Sequence, residues 1–449
     1  MKRREFLRRA SALSAAGLAA NLDLLSLTAE AAVSDYKALV CVFLYGGVDG
    51  NNILVPLDAA GYGQYAAVRA ATSNVQLTQA ELLPIAPANV GTPFGLHPSM
   101  PELQAHFNSG KLALLANTGT LTRPMTKADY IAGERPENLY SHADQQAQWQ
   151  SAISTEVART GWGGRLADAL LAGAAQTFPM MTSTAGSNLF VTGAATQPLA
   201  IPASGGLALS GFTTTAASKA RLAALNSLLD IDRGNTLVAA AADITKQAQA
   251  LSATVNPILT ATSAMLTTAF TGLTSNLSKQ LLAVAKMIES RVALGVTRQV
   301  FFVSLGGFDT HTNQLSTHKT LFTDLSTSLN AFYNATVALG VSGQVTSFTL
   351  SDFGRTFQPS AGGGSDHAWG NHHMILGGAV QGGKLYGTYP ELVLGGPSDA
   401  EKEGRWLPTT SVDQYGAELA AWFGASDAQL AKVFPNLAAF GRGSCNFLG

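Results

Sequence analysis

Residues 351–373 read S-D-F-G-R-T-F-Q-P-S-A-G-G-G-S-D-H-A-W-G-N-H-H. The segment holds Asp352, Arg355, Asp366 and three of the chain's eight histidines, His367, His372 and His373. It follows Val345–Leu350, a short apolar run rich in β-formers that predicts a buried strand. The polar cluster therefore begins where a strand ends. In open α/β sheets that edge is where ligands bind. Two other apolar runs end the same way. Gln299–Leu305 leads into Gly306-Gly307-Phe308-Asp309-Thr310-His311, and Ala38–Tyr45 leads into Gly46-Gly47-Val48-Asp49-Gly50-Asn51-Asn52. Three predicted strands each end in a carboxylate, which points to one site assembled from distant parts of the chain.

The runs are almost wholly apolar, as in strands covered on both faces of a parallel sheet. Lys111–Asn117 and Met374–Ala379 read as further strands, and short β-like runs occur at Asn188–Thr192 and Leu199–Pro202. Helical spacing appears over Tyr62–Arg69, Pro101–Phe107, Gln145–Ser151, Ser316–Leu339, Asp413–Phe423 and Asp427–Val433. The β-α-β rhythm predicts an α/β fold with a mainly parallel sheet. Residues 205–295 are rich in Ala, Leu, Ser and Thr and predict a helical insertion or cap. Ser141, with Asp144 three residues on, reads as a capping box opening a helix.

The first residues, Met1-Lys2-Arg3-Arg4-Glu5-Phe6-Leu7, precede a moderately apolar run and the small-x-small pattern Ala29-Glu30-Ala31. Residues 1–31 read as a twin-arginine signal peptide. The expectation is a folded domain over 34–449, delivered by the twin-arginine export machinery to the periplasm or beyond. The apolar run is broken by Asn21 and Asp23, and no other stretch is suited to a membrane span. With 28 Lys+Arg against 29 Asp+Glu, the basic excess of a nucleic-acid binder is missing. Two cysteines, Cys41 and Cys445, are too few for a zinc-thiolate site. Cys41 reads as a small core residue.

Each polar cluster has two readings. Asp49 is either a metal ligand or a turn residue among glycines. Asp309 and His311 lie two apart, so an extended backbone points both the same way. Together they suit a borderline divalent ion, or they form a hydrogen bond capping a turn, with Gln314 behind them. Asp352 and Arg355 are either an ion pair or a ligand beside a guanidinium that clamps an anion. Asp366 and His367 follow the flexible Gly362-Gly363-Gly364 and read as ligands. His372 and His373 face opposite sides of a strand, so at most one turns inward. Ser141 is a helix cap or a hydroxyl placed at a helix N-terminus to meet an anion, and His142 stands beside it. His97 and His106 read as structural.

Several motifs taken together resemble the bacterial "domain of unknown function 1501" family. They are F-L-Y-G-G-V-D-G-N-N (43–52), L-H-P-S-M (96–100), S-H-A-D-Q-Q (141–146), G-W-G-G-R-L (161–166), F-V-S-L-G-G-F-D-T-H-T-N-Q (302–314), S-D-F-G-R-T (351–356), D-H-A-W-G-N-H-H (366–373) and R-W-L-P-T-T-S-V-D-Q-Y (405–415). That family resembles the alkaline phosphatase and sulfatase superfamily. The resemblance implies an alkaline-phosphatase-like three-layer α/β/α core, two metal ions and a Ser or Thr nucleophile at a helix start. It places Ser141 as nucleophile and Asp49 as the first-strand metal aspartate. Asp309 and His311 would serve one ion. For the other, either Asp352 is the ligand with Phe353 replacing a histidine, His367 then serving the first ion, or Asp366 and His367 form the pair. Ala143 and Ala368 stand where Phe and Gly are common. The expected chemistry is cleavage of a small anionic phosphate or sulfate ester with one or two divalent ions, among Zn, Mn, Mg and Ca. The alternative is a non-catalytic exported protein that binds a metal or anion.

Overall fold

The computed structural model describes residues 35–71, 73–172, 178–207, 211–212, 214–441 and 445–449. The signal peptide read at 1–31 lies outside the described residues. The strands are β1 (Lys37–Leu44), β2 (Leu54–Pro56), β3 (Leu83–Ile85), β4 (Phe94–Leu96), β5 (Leu112–Gly119), β6 (Met181–Ser183), β7 (Leu199–Ala200), β8 (Arg298–Leu305), β9 (Val345–Ser351), β10 (Asn371–Gly377), β11 (Leu385–Gly387) and β12 (Thr410–Ser411). Among the described residues nine form the main sheet, in the order β11-β5-β10-β9-β1-β8-β6-β7 with β12 beside β5. β2, β4 and β3 make a small separate sheet.

β1 sits between β8 and β9 and runs parallel to both. Its side chains alternate between two cores. Ala38, Val40, Val42 and Leu44 pack under the helices Asn276–Glu289 and Gln314–Ala338, and Leu39, Cys41 and Phe43 pack under Trp162–Leu171 and Val412–Phe423. Period-two alternation within an all-apolar strand requires a covered surface on each side. The result is the three-layer α/β/α core with a mainly parallel sheet.

Two readings are corrected. The strand expected at Met374–Ala379 starts earlier, as β10, and runs antiparallel to both β5 and β9. Asn188–Thr192 is no strand. The carbonyls of Phe190 and Thr192 accept from the N–H groups of Gly164 and Gly161 (each 2.9 Å) at the start of the helix Trp162–Leu171, so its backbone is engaged by a helix end rather than a ladder.

Between β7 and β8 lie the helices Ala216–Leu228, Thr236–Thr260, Ala264–Ala269 and Asn276–Glu289. The last belongs to the layer covering the sheet, since nine of its residues are buried. Among the described residues no helix is long and apolar enough to cross a membrane.

The order β9-β1-β8 brings the three polar strand ends side by side. Gly46 and Gly47 make the tight approach. Gly46 has φ +110°, and a Cβ there would lie 2.4 Å from the Asp309 nitrogen; at Gly47, φ +78°, it would lie 2.4 Å from the Phe353 ring. Only glycine permits both the left-handed backbone and the contact.

Candidate metal centre

Past β8, Asp309 presents Oδ1 to three imidazoles. His311 Nε2 lies 3.0 Å away, His367 Nε2 3.4 Å and His142 Nε2 3.5 Å. His311 and His367 bring their Nε2 atoms within 3.1 Å of each other. Ligand atoms of His142, Asp309 and His367 all lie within 4.8 Å of one another.

The opposite nitrogen of each ring faces an acceptor. His142 Nδ1 meets Asp352 Oδ2 at 2.7 Å, His311 Nδ1 meets Asp366 Oδ1 at 2.9 Å, and His367 Nδ1 meets the Tyr140 carbonyl at 2.7 Å. In the tautomer that carries its proton on the nitrogen facing that acceptor, each Nε2 offers a lone pair. His142 Nε2 is buried and has no hydrogen-bond partner among the described residues. Lone pairs converging on a carboxylate oxygen repel unless protons or a cation intervene. A divalent ion with bonds of about 2.0–2.2 Å spaces tetrahedral ligands roughly 3.3–3.5 Å apart. His142, Asp309 and His367 are the group that could hold one such ion, with His311 Nε2 beside them.

Local structure explains each placement. His142 opens the helix His142–Ser151. Tyr140, two residues earlier, adopts φ +77°, an uncommon conformation for a bulky residue that turns its carbonyl to His367. Arg405 donates from Nε to the His367 carbonyl (2.9 Å) and stacks on the Tyr140 ring at 4.6 Å, holding both. Phe353, fully buried, packs against the rings of His142 and His367 at 4.8 and 4.6 Å. The position read as a missing histidine is thus an apolar wall for two others. Burial, with the charges of Arg355 and His142, holds the His367 imidazole below its ordinary value, against the pull of the Tyr140 carbonyl and Asp309. That favours the neutral form, which is the ligand form. Burial pushes the Asp309 carboxyl up, but the Arg355 hydrogen bond and charge, with His142 and His311, leave it below the usual carboxylate range.

The remaining sequence candidates stand elsewhere. Asp352 and Asp366 orient histidines from behind. Asp352 is buried and also accepts from the Gly46 N–H (3.1 Å) and Gln146 Nε2 (2.8 Å). Asp49 does not reach the imidazoles. Its carboxylate is paired with Arg69 and accepts from Gln314 Nε2 at 2.6 Å and Asn51 Nδ2 at 2.9 Å. Gln314 in turn accepts from Ser365 Oγ at 2.5 Å, tying Asp49 to the loop that carries Asp366 and His367.

Arg355 is no clamp for a substrate. Its side chain is 0% exposed, and it donates to the carbonyls of Gly47 (2.8 Å), Ser365 (2.6 Å) and Gly46 (2.5 Å) and to Asp309 Oδ1 (2.5 Å). It buckles three loops together. Ser141 caps its helix in backbone conformation but forms no capping box. Its Oγ donates to Asp144 Oδ2 at 2.6 Å.

His372 and His373 face opposite sides of β10, and neither meets the centre. His372 Nδ1 accepts from the Asn117 N–H (3.0 Å) and its ring stacks on Tyr389; His373 packs on Trp149 and Tyr415. Burial lowers His372 to about 4 and His373 to about 3, and likewise His97 and His318 to about 3 each. These rings are neutral in the fold, whereas the unfolded chain takes up protons near pH 6.5. Their contribution to stability is complete above that pH and is lost as pH falls toward 4. Asp413, pushed up to about 7 by burial, acts in the opposite sense, one group against four. The urea midpoint is expected to be lower at pH 5 than at pH 7.5. An unchanged midpoint would contradict four buried neutral imidazoles.

Replacing Asp352 by Asn tests the orientation of His142. The new amide N–H would face Nδ1 and favour the tautomer with its proton on Nε2. Loss of such an outer partner weakens metal binding roughly 10–100-fold. Zinc titration of Asp352→Asn against the parent checks this, and equal affinities would remove His142 from the centre.

A family model described as "protein of unknown function (DUF1501)" matches residues 36–399. The chain belongs to that family. Among solved structures, this DUF1501 chain is similar to the PsFucS1 sulfatase from Pseudoalteromonas sp., with 10% identity, a TM-score of 0.34, and coverage of 90% of this chain and 72% of that one. It is also similar to Ps i-CgsB, solved in complex with k-i-k-neocarrahexaose, with 9% identity, a TM-score of 0.34, and coverage of 88% and 73%. No curated protein matches it in sequence.

The sequence reading treats His142 as a neighbour of the site, whereas the structure places it among the candidate donors. It misses Arg69 and the Tyr140 carbonyl. For His142 a signal existed: it is one of eight histidines and lies at a predicted helix start. For Arg69 and Tyr140 nothing local marks the role.

Proposed function

We propose that this chain is an exported metal-dependent hydrolase that holds one divalent ion through His142, His311, His367 and Asp309 and acts on a phosphate or sulfate ester. The observation that carries the reading is the convergence of three imidazole Nε2 atoms on Asp309 Oδ1. Three nitrogens and one oxygen suit zinc or a similar borderline ion better than the hard ions Mg and Ca. Such an ion, when bound, polarises an ester oxygen and lowers the pKa of a group it coordinates.

The protein's own residues supply the rest. Ser141, next to His142 in the chain, is the nucleophile. It starts a ten-residue helix, whose N-terminal dipole favours negative charge developing on its oxygen. Its proton already faces Asp144 Oδ2, 2.6 Å away, and passes there as Oγ bonds to the phosphorus or sulfur and the bond to the leaving alkoxide breaks. The alkoxide takes a proton from water, and a second water hydrolyses the seryl ester and restores the hydroxyl. Asn138 Nδ2, at 3.2 Å from Asp144 Oδ1, steadies the acceptor. The side chains of Asp309 and His311 are 47% and 46% exposed, so an ester reaches the centre from solvent. Arg3-Arg4 and the cleavage pattern at 29–31 support twin-arginine export to the periplasm or beyond.

The test is hydrolysis of an aryl phosphate and an aryl sulfate by the zinc-loaded protein. Ser141→Ala is expected to lose activity by at least about 10²-fold while keeping its zinc. Full activity in that variant would remove Ser141 from the chemistry. A second reading, a non-catalytic metal-binding protein, is favoured by the two arginines near the centre. Arg355 is taken up by carbonyls and Asp309, and Arg405 by Glu401 and Glu403, so neither is free to hold an anion. A zinc-loaded chain inert toward both esters would favour that reading.

A further inference from the structure

We infer that a buried arginine takes the place of a second cation, so that this chain carries one ion, not two. The inference rests on the metal centre proposed above and concerns the neighbouring strand end. Asp49 follows β1 and is fully buried. A buried carboxylate without a counter-charge costs several kcal/mol in effective desolvation. A cation beside it, either an ion from solution or a side chain, offsets that cost.

The chain supplies the side chain. Arg69, at the end of the helix Ala59–Arg69, is also fully buried and pairs with Asp49 Oδ2. Its Nη1 donates to the carbonyls of Thr356 and Phe357, each at 3.2 Å, so the guanidinium is fixed on three sides. Gln314 Nε2 donates to the same oxygen at 2.6 Å. Oδ1 accepts from the Asn51 N–H (3.1 Å) and from Asn51 Nδ2 (2.9 Å). A carboxylate offers about four lone-pair positions, and four donors occupy them.

The two amides cannot turn their oxygens toward an ion without breaking other bonds. Asn51 Oδ1 accepts from Trp406 Nε1 at 2.7 Å, and Gln314 Oε1 accepts from Ser365 Oγ at 2.5 Å. Arg69 cannot deprotonate to become a ligand. Around Asp49 every side-chain contact is therefore a hydrogen donor, the opposite of a metal site. At Asp309 a guanidinium, that of Arg355, also donates to Oδ1, but three imidazole Nε2 atoms stand round the same oxygen and the side chain is 47% exposed. Asp49 and Asp309 thus follow adjacent parallel strands, each beside a buried guanidinium, but Asp49 is closed off by donors alone whereas Asp309 also faces imidazoles and solvent.

Elemental analysis of the full chain, loaded with Zn2+ and freed of excess, decides the matter. One zinc per chain is expected in the parent and in Asp49→Asn, and clearly less than one in His367→Ala. Two per chain in the parent would overturn the inference and leave the metal centre standing. None in the parent would overturn the centre itself. Loss of zinc in a folded Asp49→Asn chain, checked by circular dichroism, would make Asp49 a ligand and overturn the inference. If that variant does not fold, the calorimetric stoichiometry of zinc binding to the parent alone distinguishes one site from two.

Discussion

His367→Ala is expected to weaken zinc binding by roughly 10²–10³-fold, about a quarter of the ~10–16 kcal/mol that a four-ligand zinc site yields. The effect should be large because the ring is held on every side. Its Nδ1 is anchored on the Tyr140 carbonyl, its face lies on Phe353, and its Nε2 stands 3.1 Å from that of His311 and 3.4 Å from Asp309 Oδ1. Removing it takes away a pre-oriented lone pair, and the remaining donors cannot close round the gap. Competition against a chromophoric chelator measures the change. A shift of less than tenfold would mean that His367 is a packed loop residue and that the cluster is a hydrogen-bonded network rather than a centre. The variant should remain folded, since the ring is part-exposed and the loop is held independently by Arg355 at Ser365 and by Gln314.

Arg69→Ala is expected to cost about 3–5 kcal/mol of folding stability, the usual penalty for removing one partner of a buried ion pair. The cost arises from what is left behind. Asp49 would keep its charge with no counter-charge in contact, and the carbonyls of Thr356 and Phe357 would lose their donor. Arg69→Lys should recover only part of the loss, because a single ammonium lacks the planar fork that serves a carboxylate and two carbonyls together. Urea unfolding followed by tryptophan fluorescence tests both variants. A loss below 1 kcal/mol in Arg69→Ala would mean that Asp49 protonates, or finds a cation from solution, at little cost. The second outcome would itself argue against a fixed guanidinium in place of an ion.

These two positions also show how far local pattern reaches. Asp49 and Asp309 read alike in the sequence, each an aspartate among glycines just past an apolar strand. Their surroundings differ because of residues that are remote in the chain. Arg69 arrives at Asp49 from the end of a helix whose own spacing predicts only its buried face, and Gln314 arrives from 265 positions away. At Asp309 the decisive neighbour is His142, on a helix packed against the same sheet edge. Arg355 illustrates the opposite error. Its forked donors suit an anion in principle, but Gly46 and Gly47, pressed against the backbone at Asp309 and the Phe353 ring, give it carbonyls instead.

The sequence alone determined the core strands β1, β5, β8 and β9, most of the helices and the edge at which polar groups gather. Those follow from apolar alternation and from Gly-rich strand ends, which are local properties of the chain. It also determined that carboxylates and imidazoles would meet, since three strands adjacent in a parallel sheet deliver their ends to one place. The tertiary structure alone decided which carboxylate gathers imidazoles and which is surrounded by donors only. Beyond a strand end the direction of a side chain is set by turn geometry and by neighbours hundreds of residues distant, and neither leaves a periodic mark. The antiparallel course of β10 belongs to the same class, because an apolar run gives the same burial in either direction.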